Sequence, residues 1–197
     1  MQQETVAILS TAVAVLAVAV GVRLALRRAA QRAQPAATRA DVPGVIALPP
    51  LVYLGFLAAG TLLEGFVPTP WPDVPRPARY AVGGLLVLAG VTLAVLATGR
   101  FRAAGTNIPP TLPATALVIT GPYRWSRNPM YLAMALIYAG LAIAAGSLWT
   151  LALLVPVLLL IRYGVIAREE AYLERKFGDP YRIYKSRVRR WLQTSRG

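Results

Sequence analysis

The chain has 197 residues, of which 56% are hydrophobic, and its 21 Lys+Arg against 8 Asp+Glu give a formal charge of +13. It contains neither cysteine nor histidine, which excludes disulfides, thiolate nucleophiles, Cys/His zinc sites and imidazole general bases. Long apolar runs direct the positive excess toward anionic lipid and membrane topology rather than nucleic acid.

Five such runs follow one another, roughly Thr5–Val22, Val45–Phe66, Tyr80–Ala97, Met130–Ala145 and Leu148–Ala167. A helix crossing the ~30 Å hydrocarbon core needs about 20 residues. The first, second, third and fifth runs meet that length, and the fourth, at 16 residues, is short. The predicted fold is all-α: a polytopic membrane helix bundle with about five transmembrane helices and a cytoplasmic C-terminal amphipathic helix.

The first run is preceded by Glu4 and followed by Arg23, Arg27 and Arg28, the charge arrangement of an N-outside anchor and not of a cleaved signal peptide. Eighteen of the 21 basic residues then fall on one side of the five runs. Arg76 and Arg79 fall on the other, and Arg162 lies inside a run. The positive-inside rule places the N-terminus outside and the C-terminus in the cytoplasm, as expected for a bacterial inner membrane.

Between the runs, Ala29–Ala40 reads as a polar connector. The proline-dense "VPTPWPDVPRP" of Val67–Pro77 cannot be helical and reads as an extended outer loop. On the third run, Gly83, Val87, Gly90, Ala94 and Ala97 recur at three- and four-residue spacing, forming a small-residue face for close helix packing.

Gly146-Ser147 makes runs four and five a tight hairpin that opens toward the cytoplasm. At its open end stands "GPYRWSRNPMY", Gly121–Tyr131. Asn128 is a strong N-cap and Pro129 a preferred first helical residue, so the pair predicts the start of the fourth helix. That helix end offers N–H groups and a positive dipole to a carboxylate or phosphate, with Arg124 and Arg127 deepening the field.

The fifth run ends in "RYGVIAREEAYLERKFGDPYRIY". On an uninterrupted α-helix, Arg162 and Glu169 share a face about 10 Å apart, as do Tyr163 and Glu170. Arg162 is either a snorkelling side chain or a functional ion near the membrane boundary. Glu169 and Glu170 either pair with neighbouring bases or face the same pocket as Gly121–Tyr131. Beyond Gly178, Tyr181, Tyr184, Val188, Trp191 and Leu192 form an apolar stripe opposite Arg182, Lys185, Arg189 and Arg190. This predicts an interfacial helix drawn to anionic lipid.

The run "ATALVITGPYRWSRNPMYL", followed at hairpin distance by "REEAYLERKFGDPYRIYKSRVRRW", resembles the isoprenylcysteine carboxyl methyltransferase (ICMT)-like integral membrane methyltransferases, relatives of the phospholipid N-methyltransferases. The resemblance covers about Gly105 to Trp191. It divides the chain into transmembrane helices 1 to 3 with their loops (residues 1–104) and a methyltransferase core (residues 105–197). It implies S-adenosylmethionine (SAM) as cofactor, held on the cytoplasmic side by Leu117, Val118, Gly121, Tyr123, Arg127, Asn128, Pro129, Tyr131 and Glu170, with Glu169 closing the pocket. The family often has His where this chain has Asn128.

SAM's carboxylate suits a helix N-terminus with Arg127 nearby, its ammonium or ribose suits a glutamate, and its sulfonium tolerates tyrosine faces. Arg162 and Glu169 are the predicted catalytic residues, with Arg162 holding an anionic substrate group, and no metal is expected. The predicted reaction is methyl transfer to a lipophilic substrate entering from the bilayer. A carboxylate is the leading acceptor, since it needs no general base. The alternatives are a phospholipid headgroup amine, with Glu169, Glu170 or a tyrosine assisting deprotonation, or a non-catalytic membrane module that keeps the fold.

Overall fold

The structure, a computed structural model, describes residues 41–192. The first apolar run and its flanking arginines lie outside the described residues. Among those described there is no strand. Helix α1 spans Pro49–Phe66, α2 Arg76–Ala103, α3 Pro129–Ala145, α4 Leu148–Ile161, α5 Ala167–Phe177 and α6 Asp179–Arg187. A 3₁₀ turn covers Gly121–Arg124, and a π turn, Arg162–Ile166, joins α4 to α5.

Three helices are long and apolar enough to cross a membrane: α1, α2 and the continuous Leu148–Phe177. The apolar α3, with 17 residues, is shorter. Four of the five expected runs are thus helices, while the first is outside the described residues.

The small-residue face of α2 is what brings α3 close. A Cβ on Gly83 would lie 2.6 Å from the carbonyl oxygen of Gly140, and one on Gly90 2.7 Å from that of Ala133. Gly140 is fitted reciprocally, 2.5 Å from the Gly83 carbonyl. With no water to expel between helices in lipid, such backbone approach supplies the packing energy. The central cluster includes Val52, Tyr53, Tyr131, Tyr138, Val157, Ile161 and Ile166.

The hairpin turns as expected at Gly146, whose φ of +68° suits a residue without a Cβ. Ser147 caps α4, its Oγ accepting from Thr150 N–H at 3.1 Å. Glu64, at the end of α1, ties this corner down: Oε2 accepts from Ser147 Oγ at 2.8 Å, and Oε1 from Thr69 N–H at 2.6 Å.

Two expectations are corrected. The helix widens into a π turn after α4, so the shared face of Arg162 and Glu169 is lost. In the π turn, Ala167 N–H bonds back to Arg162 O, and the extra residue in that turn rotates everything beyond it. Arg162 and Tyr163 are exposed, whereas Gly164, Val165 and Ile166 are buried. Gly164 O accepts from Ile46 N–H at 3.3 Å, and the Ile46 side chain occupies the space a Cβ on Gly164 would need. The C-terminal stripe also differs, because α6 ends at Arg187 and Val188 is already extended. Tyr181, Tyr184 and Val188 are buried against Leu117, Leu173 and Phe177, so this aromatic face packs on the protein itself.

Candidate active site

A cavity of about 520 Å³ lies between the start of α1, the proline-bearing loop of residues 105–118, the start of α3, α5 and α6. That volume is in the usual small-molecule range of about 300–1,000 Å³. Leu117, Val118, Tyr123 and Tyr131 line it, as do Arg127, Asn128 and Pro129. Glu169 and Glu170 complete the expected set. Two predicted residues stand apart. Gly121 opens the 3₁₀ turn at φ +63°, where a Cβ would meet the Arg100 side chain at 2.6 Å, so its part is in the turn. Arg162 lies outside the cavity wall, with its guanidinium over the Tyr163 ring at 5.2 Å.

Arg127 and Asn128 are engaged differently from the cap geometry predicted. Asn128 stands at the N-cap of α3, and Pro129 begins the helix, but the Asn128 side chain makes no capping bond. Its Nδ2 donates to Arg190 O at 3.0 Å, alongside Ser126 Oγ at 3.2 Å. Arg127 Nη1 donates to the carbonyls of Lys185 and Val188, each at 2.9 Å. Its own N–H donates to Arg189 O at 3.0 Å. The last turn of α6 and the extended segment after it present carbonyls that no helix bond uses, and this string satisfies them. The segment is thereby strapped beneath the cavity.

Glu170 is the centre of the strap. Its buried carboxylate accepts from Arg127 Nη2 at 2.7 Å and from Arg190 Nε and Nη2 at 3.0 and 2.7 Å. The bonds to Glu170 hold the Arg190 guanidinium above its ordinary proton affinity. Glu169 is bound more simply: Tyr131 OH donates to its Oε1 at 2.6 Å. Burial pushes the phenols of Tyr181 and Tyr184 up, so both stay neutral, and Tyr184 OH donates to Tyr123 O at 2.8 Å.

Several wall residues escaped the sequence reading. Tyr172, Tyr181 and Tyr184 line the cavity, as does the start of α1 at Leu48–Leu51. Arg190 was counted only as part of a polar face. The tyrosines at 181 and 184 carried a signal in their one-turn spacing, but it was assigned to lipid.

The model of the phospholipid methyltransferase family matches residues 78–180, more than half of the chain and most of the cavity wall. This chain belongs to the phospholipid methyltransferase family. It is also similar to an uncharacterized protein of Haemophilus influenzae (strain ATCC 51907 / DSM 11121 / KW20 / Rd), with 46% identity over 63 residues. Those residues are all of that protein and 32% of this chain. No solved structure matches it. Its membership in a methyltransferase family, together with three helices long and apolar enough to span a bilayer, makes this phospholipid methyltransferase family member an integral membrane protein.

Proposed function

We propose that this chain is a SAM-dependent methyltransferase acting on the small polar headgroup of a lipophilic molecule, and that the acceptor atom is an amine nitrogen. One observation carries the choice of acceptor. Among the described residues, the cavity wall holds two carboxylates, Glu169 and Glu170, and a single cationic side chain, Arg127. That cation is already engaged by Glu170 and two carbonyls. The one donor Arg127 keeps free, Nε–H, goes to the carboxylate of SAM itself, so a carboxylate acceptor finds no further counter-charge on this wall, whereas an ammonium group meets one at Glu169.

The residues present fit SAM. Among the described residues Arg127 Nε–H is a buried donor without an acceptor, and it lies beside the positive end of α3, which suits the methionine carboxylate. Tyr123, Tyr131 and Tyr181 offer ring faces to a sulfonium. Bound there, SAM supplies a methyl group on a positively charged sulfur. The chain aligns acceptor and donor and excludes water with Leu117, Val118 and the loop prolines. Leu48, Pro49, Pro50 and Leu51 form an apolar wall at the start of a membrane helix, a route for a lipophilic acceptor from the bilayer.

The expected orientation, N-terminus outside and C-terminus in the cytoplasm of a bacterial inner membrane, puts this cavity on the cytoplasmic side. Exposed Arg182 and Arg187 on α6 then meet anionic headgroups.

Calorimetric titration of SAM into the detergent-solubilised full chain tests the donor. Binding is expected in the wild type and is weakened at least tenfold by Arg127→Ala. A folded wild type that fails to bind SAM ends this reading. Labelled methyl transfer to vesicles with ethanolamine headgroups, set against vesicles containing free fatty acid, tests the acceptor. Transfer to the fatty acid alone would restore the carboxylate branch.

A further inference from the structure

Glu169 and Glu170 are adjacent in sequence yet differ in what decides whether a carboxylate can accept a proton. Both oxygens of Glu170 are held by guanidinium groups. Glu169 has one partner, the Tyr131 hydroxyl on Oε1, and among the described residues its Oε2 takes no hydrogen bond from the chain. Both Glu169 and Tyr131 lie on the cavity wall. Tyr131 is itself fixed: it is 7% exposed, and its carbonyl accepts from Tyr53 OH of α1 at 3.2 Å. A rigid donor on one oxygen sets the plane of the carboxylate and leaves the other oxygen's lone pairs for a ligand.

We infer that Tyr131 is a positioning residue: its hydroxyl holds Glu169 Oε1 so that Oε2 takes a proton from the acceptor's ammonium group. The inference rests on the amine reading above. An ammonium nitrogen has no lone pair, so the proton must leave before the methyl arrives. The N–H bond breaks and the proton passes to Oε2. The nitrogen pair then forms the N–CH₃ bond, while the S–C bonding pair stays on sulfur and leaves a neutral thioether. The groups facing Glu169 are Tyr131 from α3, Tyr123 from the 3₁₀ turn, Tyr181 from α6 and Glu170 from its own helix. The guanidinium groups of Arg127 and Arg190 are engaged with Glu170 instead.

This role differs from that of a cofactor contact, and full-length wild type, Tyr131→Phe and Glu169→Gln separate the two. The protonated-carboxyl infrared band that disappears in Glu169→Gln reports Glu169 directly, with no substrate needed. Tyr131→Phe should move its titration midpoint to higher pH by about one unit, a tenfold change in proton affinity, because a donor to the charged form is gone. The SAM dissociation constant of Tyr131→Phe should stay within about threefold of wild type.

In methyl transfer to ethanolamine-headgroup vesicles, Tyr131→Phe should lower kcat about tenfold, with its acid limb displaced upward. Glu169→Gln should lose about 10²- to 10⁴-fold across the pH range. An unmoved band, a tenfold or greater loss of SAM affinity in Tyr131→Phe, or wild-type turnover in Glu169→Gln overturns the proposal. A wild type that binds SAM yet transfers nothing to the amine overturns the amine branch and this role with it. A wild type that binds no SAM overturns the methyltransferase reading, whatever the band does.

Discussion

Arg190 grips Glu170 with two parallel hydrogen bonds, Nε to Oε1 at 3.0 Å and Nη2 to Oε2 at 2.7 Å. The fork is the strong geometry for an arginine and a carboxylate, and the Glu170 side chain is 8% exposed. Arg127 approaches the same carboxylate at 2.7 Å. Two cations on one buried anion take up most of the acceptor capacity of Glu170, and its part is to hold the strap against the cavity.

Removing that anion strands two guanidinium groups. Glu170→Ala is expected to destabilise the protein by about 3–5 kcal/mol, the usual cost of breaking a buried pair. A lowered Tm in detergent, with SAM binding lost at temperatures where wild type still binds, is the result to look for. Arg190→Lys should recover only part of the stability lost in Arg190→Ala, because an ammonium cannot make the fork. Full recovery would show that charge alone holds the strap.

Neighbouring glycines on α2 provide a paired test of the helix contact. A Cβ on Gly83 meets the Gly140 backbone, whereas one on Gly84 meets nothing within 4 Å. Gly83→Ala should therefore cost about 1–3 kcal/mol through forced separation of α2 and α3. Gly84→Ala should be neutral or stabilising by up to about 1 kcal/mol. Reversible detergent unfolding of both variants reads the difference, and equal effects would contradict the packing.

At the opposite end of the bundle, Glu64 collects hydrogen bonds from Thr69, Ser147 and the Trp149 N–H. Glu64→Ala leaves those donors unmatched, and a loss of about 1–3 kcal/mol is expected. SAM affinity should not change, because the cavity lies elsewhere. A parallel loss of affinity at temperatures where the variant is folded would mean that the two ends are coupled.

Arg162→Leu asks whether the exposed arginine serves the reaction. Its position outside the wall predicts SAM affinity within about twofold of wild type and turnover little altered. Turnover lost at unchanged SAM affinity would return Arg162 to the substrate side.

The sequence made the helices legible because apolar length is a strong local signal. Pro129 and Gly146 marked helix ends through backbone chemistry that needs no tertiary context. The glutamate pair and the Arg-Asn-Pro string were found because both are polar in an apolar chain. Their partners were not legible. Arg127 donates to carbonyls of Lys185 and Val188, 58 and 61 residues away, and a backbone acceptor leaves no trace in side-chain identity. The π turn was missed for a related reason. "RYGVI" has no feature that distinguishes one extra residue per turn from ordinary helix, and the close fit of Gly164 against Ile46 is a tertiary contact made by a residue more than 100 positions away. Tyr181 and Tyr184 were seen as an apolar face, but periodicity cannot tell whether protein or lipid covers such a face.

The strap also fixes an order of assembly. The Arg127 and Asn128 side chains are synthesised before the groups they bind: Glu170 follows Arg127 by 43 residues, and Arg190 follows Asn128 by 62. The tight seam between α2 and α3 involves only residues made earlier than those partners. Membrane packing can therefore be well advanced while the chamber still lacks its floor. The floor of the chamber is the last part of it to be made, and it closes a cavity whose other walls are already in the chain.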